Sequence, residues 1–97
     1  MAQVSAVVLT RNEERNIADC LDTLQWAEEL LVLDSFSDDA TIEIADVMGA
    51  KVRQRRFDNY ALQRNAALRM ASGEWVFFVD ADERVTPELA AEIKLAV

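Results

Sequence analysis

Three short apolar runs rich in branched and aromatic residues recur along the chain, and helix-periodic stretches separate them. Val4 to Leu9 reads VSAVVL, Leu30 to Leu33 reads LLVL, and Glu74 to Val79 reads EWVFFV. Runs of this length and composition are buried strands. A weaker fourth, Ala50 to Arg53, lies between the second and the last. After the first run, Ile17, Cys20, Leu21 and Leu24 fall at helical spacing and form one inward stripe. Asn12 is placed as its N-cap, with Glu13 and Glu14 in the first turn. A second helix is expected from about Ala40 to Met48, stopped by Gly49. A third is expected from about Asn59 to Ala71, with Leu62, Ala66 and Ala67 inward and Ser72-Gly73 at its end. The last opens at Thr86-Pro87, threonine as cap and proline at the first helical position, with Leu89 and Ile93 inward.

The order is therefore βαβαβαβα. This alternation specifies an α/β fold: a parallel sheet with helices on both faces. In open sheets of this kind ligands bind beyond the carboxyl ends of the strands. Three polar clusters follow strands: Thr10 to Glu14, Asp34 to Asp39, and Asp80 to Glu83. All three are expected along one edge of the sheet.

Composition narrows the chemistry. The chain has 97 residues, enough for one domain over 1–97 with a single core. Two glycines and one proline leave no flexible linker. The net charge of -8 argues against nucleic acid, whose phosphates need a basic surface. There is no histidine, which removes imidazole general bases and the Ser-His-Asp and Cys-His schemes. The single cysteine, Cys20, lies on the apolar stripe and is expected as a core thiol. The first residues lack the basic region of a secretory leader, and no apolar run approaches a membrane span, so a cytoplasmic location is expected.

Asp80 and Asp82 stand one residue apart at a strand end. They are either solvated loop charges or ligands of a hard cation, Mg²⁺ or Mn²⁺, which favours oxygen donors and keeps waters and substrate phosphates in its shell. Glu83 is either a third ligand or simply exposed. Asp34 is either a turn residue or an acceptor for a base or ribose group. Ser37, Asp38 and Asp39 are expected to cap the helix that follows. Arg64, within YALQRNAAL, reaches a ligand only if the start of its helix faces the ligand edge. The basic stretch Arg53 to Arg56 either guides an anionic substrate or is a solvated strand end that balances nearby carboxylates, and the second is expected. The glycine patterns of dinucleotide and P-loop sites are missing. Any nucleotide phosphate must then be held by a carboxylate-bound metal.

Taken together, these stretches resemble the N-terminal half of a family 2 glycosyltransferase with the GT-A fold. The resemblance spans nearly the whole chain. VSAVVLTRNEERNIADCLDTL resembles the family's opening strand, N-E-E loop and first helix. LVLDSFSDDAT resembles its V-D-D-G-S-x-D-x-T segment, with Ser35 in place of the second aspartate. LQRNAAL resembles its A-R-N-x-G stretch, and WVFFVDADE its D-x-D strand. The variant is most similar to the bacterial branch that includes lipopolysaccharide-core β-glucosyltransferases.

The resemblance implies a Rossmann-like nucleotide-binding half, truncated before the half that supplies the acceptor site and catalytic base. It implies nucleotide-sugar contacts from Thr10, Asn12, Glu13, Asp34, Arg64 and Asp80, and metal ligation by Asp82 with Asp80. The implied reaction transfers a sugar from a nucleotide diphosphate, UDP by preference, to a sugar or lipid-linked acceptor with inversion. Its setting would be bacterial cell-surface polysaccharide synthesis, in the cytoplasm or at the inner face of the membrane. The catalytic base is expected downstream of Val97, so the 97-residue chain alone is expected to be inactive. A homodimer through the edge of the last strand, or through a swapped terminal element, is also expected. The alternative is a non-catalytic α/β self-association module. A receiver-like phosphoacceptor is disfavoured because neither Lys51 nor Lys94 ends a late strand.

Overall fold

A computed structural model describes residues 3–97. Met1 and Ala2, where the leader reading begins, lie outside the described residues. The element order is β1 (Val4–Thr10), α1 (Ile17–Asp22), β2 (Glu29–Asp34), α2 (Thr41–Val47), β3 (Lys51–Gln54), α3 (Tyr60–Met70), β4 (Trp75–Asp80) and α4 (Pro87–Ala96). The strands form one parallel sheet in the order β3-β2-β1-β4. The expected α/β alternation is therefore the one observed.

The strand order explains the apolar runs. β1 and β2 lie at the centre, covered on both faces, and every β1 residue except Leu9 is buried. Alternate side chains feed two cores. Ala6, Val8 and Val32 pack under Ile17, Cys20 and Leu21 of α1, with Ala45 of α2 and Ala90 of α4 in the same cluster. Val7, Leu31 and Leu33 point the other way, against Ala67 of α3. β4 forms one sheet edge and is only partly covered, with Trp75 half-exposed.

Three local expectations are corrected. Asn12 does not cap α1: its φ of 54° is left-handed, the cap position is Asn16, and the helix begins at Ile17. The cause is tertiary, because Asn12 spends its side-chain oxygen on the Asp38 N–H instead, at 2.7 Å. Leu62 does not pack inward but is exposed, because the inner stripe of α3 runs through Gln63 and Ala67. Leu89 is likewise exposed, and the small Ala90 seats α4 on the core.

Other local signals behave as expected. Asn59 and Thr86 accept from the backbone N–H three residues on, at 2.9 and 3.1 Å. Gly49, with φ of 89°, follows the last turn of α2. Among the described residues no helix is long and apolar enough to cross a membrane.

Candidate functional site

The parallel register pairs Thr10 with Asp34 and Leu9 with Asp80. The three polar clusters therefore share one edge, at the carboxyl ends of β1, β2 and β4. A cleft of about 460 Å³ opens there. Thr10, Glu13, Arg64, Asp80 and Asp82 line it, and so bring together five of the seven residues expected at the site. Asp34 and Asn12 do not line it.

Asp34 lies behind the cleft, fully buried. Its Oδ1 accepts from the Thr10 hydroxyl at 2.6 Å and the Ser37 hydroxyl at 2.5 Å, and its Oδ2 from the Ser37 N–H at 2.8 Å. A carboxylate surrounded by donors in this way fixes its neighbours. Asp34 therefore supports the wall on which Thr10 stands.

Asn12 belongs to a lacing between the loops after β1 and β2. The Asn12 N–H donates to Ser37 Oγ at 2.8 Å, Glu13 N–H to Thr41 Oγ1 at 2.9 Å, and Glu14 N–H to Asp39 Oδ2 at 3.2 Å. Glu14 returns a carboxylate oxygen to the Ala40 N–H at 3.1 Å, at the start of α2. Asp39 accepts from both the N–H and the hydroxyl of Thr41, the first residue of α2. The N-cap position is Ala40, however, and carries no side-chain cap, so the capping expected of Ser37, Asp38 and Asp39 is not observed. Ser37 is spent on Asp34 and Asn12, and Asp38 on Arg11. Among the described residues the two non-glycine residues with positive φ, Asn12 and Phe36, fall in these two loops. The laced pair forms the floor from which Glu13 reaches the cleft.

At the end of β4 the acidic cluster divides by role. Glu83 turns back and accepts from the backbone N–H of Asp80 at 2.8 Å, closing the turn. Its carboxylate is thereby spent on the chain itself. Asp80 and Asp82 are exposed, and among the described residues no protein donor engages their carboxylates. Beneath the turn the Cys20 thiol reaches the Asp80 carbonyl at 3.6 Å. Burial, opposed by Arg84, pushes that thiol up to about 11, so Cys20 is inert core as expected.

No group of three acidic, cysteine or histidine residues converges on a point among the described residues. Two free carboxylates fit a cation that takes part of its shell from the protein and the rest from phosphate oxygens and water.

Cations and aromatics complete the walls. The Arg64 guanidinium lies 4.5 Å from the centre of the Phe78 ring, and Arg11 donates to the Ser35 carbonyl at 3.0 Å. The start of α3 does face the ligand edge. Phe57 and Tyr60 meet edge to face, centroids 5.1 Å apart, at the same cleft.

Sequence reasoning missed Gln63, which is 1% exposed and bridges Arg55, at 2.8 Å, to Ser35, at 3.1 Å. A glutamine on an otherwise apolar helix stripe, four residues before Ala67, was the available signal. Arg55, in the basic stretch expected to balance nearby carboxylates, clamps Asp58 at 2.9 and 3.2 Å.

Residues 5–94 match the family described as Glycosyl transferase family 2. An uncharacterized glycosyltransferase of Rickettsia typhi is 36% identical over 95 residues, which are 97% of this chain and 32% of that protein. Among solved structures, a mannosyltransferase of Pyrobaculum calidifontis in complex with GDP-Man and Mn²⁺ superposes with a TM-score of 0.82 at 28% identity, covering 96% of this chain and 32% of that one. The glucosyl-3-phosphoglycerate synthase of Mycobacterium tuberculosis, in complex with Mn²⁺, UDP and glucosyl-3-phosphoglycerate, gives 0.76 at 26% identity, covering 86% and 36%. The chain thus spans about a third of the length of these relatives.

Proposed function

The chain belongs to glycosyl transferase family 2, and on that premise we propose that its cleft binds a nucleoside-diphosphate sugar together with Mg²⁺ or Mn²⁺. The observation that carries this reading is the pair Asp80 and Asp82, whose carboxylates meet no protein donor among the described residues, on the same cleft as Arg64 and Arg11. Relatives of the same fold hold GDP-Man with Mn²⁺ and UDP with Mn²⁺, which supports a nucleotide diphosphate as the ligand.

Asp82, with Asp80, would hold the cation, which when bound offsets charge on the departing diphosphate. Arg64 and Arg11 set positive charge beside the phosphates in a chain of net charge -8. Thr10 and Glu13 line the cleft, while Asp34 and Asn12 hold its walls from behind. The reaction proposed for the whole protein is sugar transfer to an acceptor hydroxyl with inversion, in bacterial cell-surface polysaccharide synthesis at the cytoplasmic side of the membrane. The residue that deprotonates the acceptor is not assigned to this chain.

Calorimetric titration with UDP and GDP, with and without Mn²⁺, tests the site. Metal-dependent binding that drops at least tenfold in Asp82→Ala is expected. Metal-independent binding, or none, would refute it.

The alternative, a self-associating module without the chemistry, draws on the half-covered β4 edge. It predicts a dimer in light scattering whether or not nucleotide binds.

A further inference from the structure

A relay of side chains runs from the turn after β4 to the loop after β1. Arg84 Nη1 donates to the carbonyls of Ala81 and Glu83, each at 2.9 Å. Its Nη2 donates to Asn16 Oδ1 at 3.1 Å. Asn16 Nδ2 in turn donates to Glu13 Oε1 at 3.2 Å. A guanidinium only donates and an ionised carboxylate only accepts, so both ends demand the same orientation of the amide between them. Asn16 sits at the N-cap of α1 but makes no side-chain cap bond, so its amide is given to the relay and not to the helix.

Both ends of the relay are parts of the cleft. Ala81 separates Asp80 from Asp82 and is 3% exposed, packed in the core. Arg84 thus grips the peptide that leads into Asp82. The far side of the turn is tied to α1 as well, where the Val85 N–H donates to Thr23 Oγ1 at 3.1 Å. Among the described residues Arg84 makes no ion pair with Asp80 or Asp82, so its charge holds the turn without occupying their carboxylates. At the other end Glu13 lines the cleft. Arg84 and Asn16 do not line it, so they act only through the residues they hold.

We infer that Arg84 and Asn16 are positioning residues: Arg84 sets the turn that presents Asp80 and Asp82 to the cation, and Asn16 holds the Glu13 carboxylate on the nucleotide's side of the cleft. The inference rests on the metal and nucleotide reading above. A turn released from Arg84 has to be ordered by the cation itself, at a cost in metal affinity. Asn16→Asp keeps an acceptor for Arg84 but sets a second carboxylate against Glu13. The two substitutions therefore damage different halves of the site.

The test titrates the 97-residue chain with UDP and with GDP over a series of Mn²⁺ concentrations. It yields the Mn²⁺ concentration that half-restores nucleotide binding and the nucleotide affinity at saturating Mn²⁺. Arg84→Met is expected to raise the half-restoring Mn²⁺ about tenfold, with the affinity at saturating Mn²⁺ recovered. Arg84→Lys, which keeps the charge but not the forked contact, should recover part of the loss. Asn16→Asp is expected to do the reverse: a half-restoring Mn²⁺ within twofold of the unsubstituted chain, and a nucleotide affinity about fivefold weaker at saturating Mn²⁺. Purely structural roles would lower the urea midpoint and weaken both quantities together.

That joint weakening in both variants overturns the inference, as does binding that neither variant alters while Asp82→Ala abolishes it. Absence of Mn²⁺-dependent binding in the unsubstituted chain overturns the site reading and this inference with it. If Arg84→Met does not fold by circular dichroism, Arg84→Lys and Asn16→Asp decide.

Discussion

Lowering the pH should unfasten the end of the sheet opposite the cleft through one carboxylate, Glu29. Its Oε1 accepts from the Ser5 hydroxyl at 2.7 Å and the Ser72 N–H at 2.9 Å. Its Oε2 accepts from the Ser72 hydroxyl at 2.9 Å and Lys51 Nζ at 3.1 Å. One side chain thus ties β1, β2, β3 and the turn before β4. Burial works to raise its pKa, but the bonds from Ser72, Ser5 and Lys51 prevail and hold it at about 2, against an ordinary 4.5. Because the folded value is the lower one, the stabilisation is complete above the unfolded pKa and is lost as pH falls through the folded one. The Glu29 side chain is 11% exposed, so solvent screening is slight. The shift corresponds to about 3 kcal/mol at pH 7, falling to about 1 kcal/mol at pH 3 and vanishing toward about pH 1.

Urea unfolding of the native chain and of Glu29→Gln at pH 7, 5 and 3 measures this term. Glutamine resembles the protonated acid, so its fixed steric cost cancels between pH values. The gap in unfolding free energy should narrow by about 2 kcal/mol from pH 7 to pH 3, nearly all of it below pH 5. Other carboxylates, Asp58 among them, shift both curves together. A gap independent of pH would refute the assignment of this stability to the Glu29 anion.

Three further outcomes follow from the packing. Gly73→Ala places a Cβ 2.6 Å from Ser5 Oγ, 2.8 Å from Ser5 N and 3.0 Å from the Gln3 carbonyl. Two of these are backbone atoms, so a loss on the order of 2 kcal/mol is expected in urea unfolding. Thr41→Val keeps the shape of a fully buried residue but removes the acceptor of the Glu13 N–H. It should cost about 1–3 kcal/mol and weaken nucleotide binding by disordering the loop before Glu13. Cys20 should resist thiol reagents at pH 8 in the folded chain and react at once in urea, because both burial and a pKa of about 11 withhold the thiolate.

Much of the architecture could be read without coordinates, because it rests on local periodicity. The valine-rich runs alternate with helical stripes, and only a parallel sheet with helices on both faces accommodates that order. The strand-end rule then gathered Thr10, Glu13, Asp80 and Asp82 at one edge, where the cleft now holds them. Caps with a private local signal, Asn59 and Thr86, were equally legible.

What failed was whatever a distant partner decides. Asn12 looked like a helix cap by its neighbours, yet the Asp38 N–H, 26 residues away, claims its side chain. Leu62 looked inward by its hydropathy, yet Gln63 takes the buried position because Arg55 and Ser35 satisfy its amide there. Asp34 stood at a strand end like Asp80, and three donors from Thr10 and Ser37 turned it into a buried support. The amino-acid sequence by itself determined the element order, the ligand edge and the acidic pair at the end of β4, since periodicity and turn chemistry act over a few residues. Only the tertiary structure decided which polar groups are spent on one another and which face the cleft. A hydrogen bond between loops some 25 residues apart leaves no periodic trace in the chain.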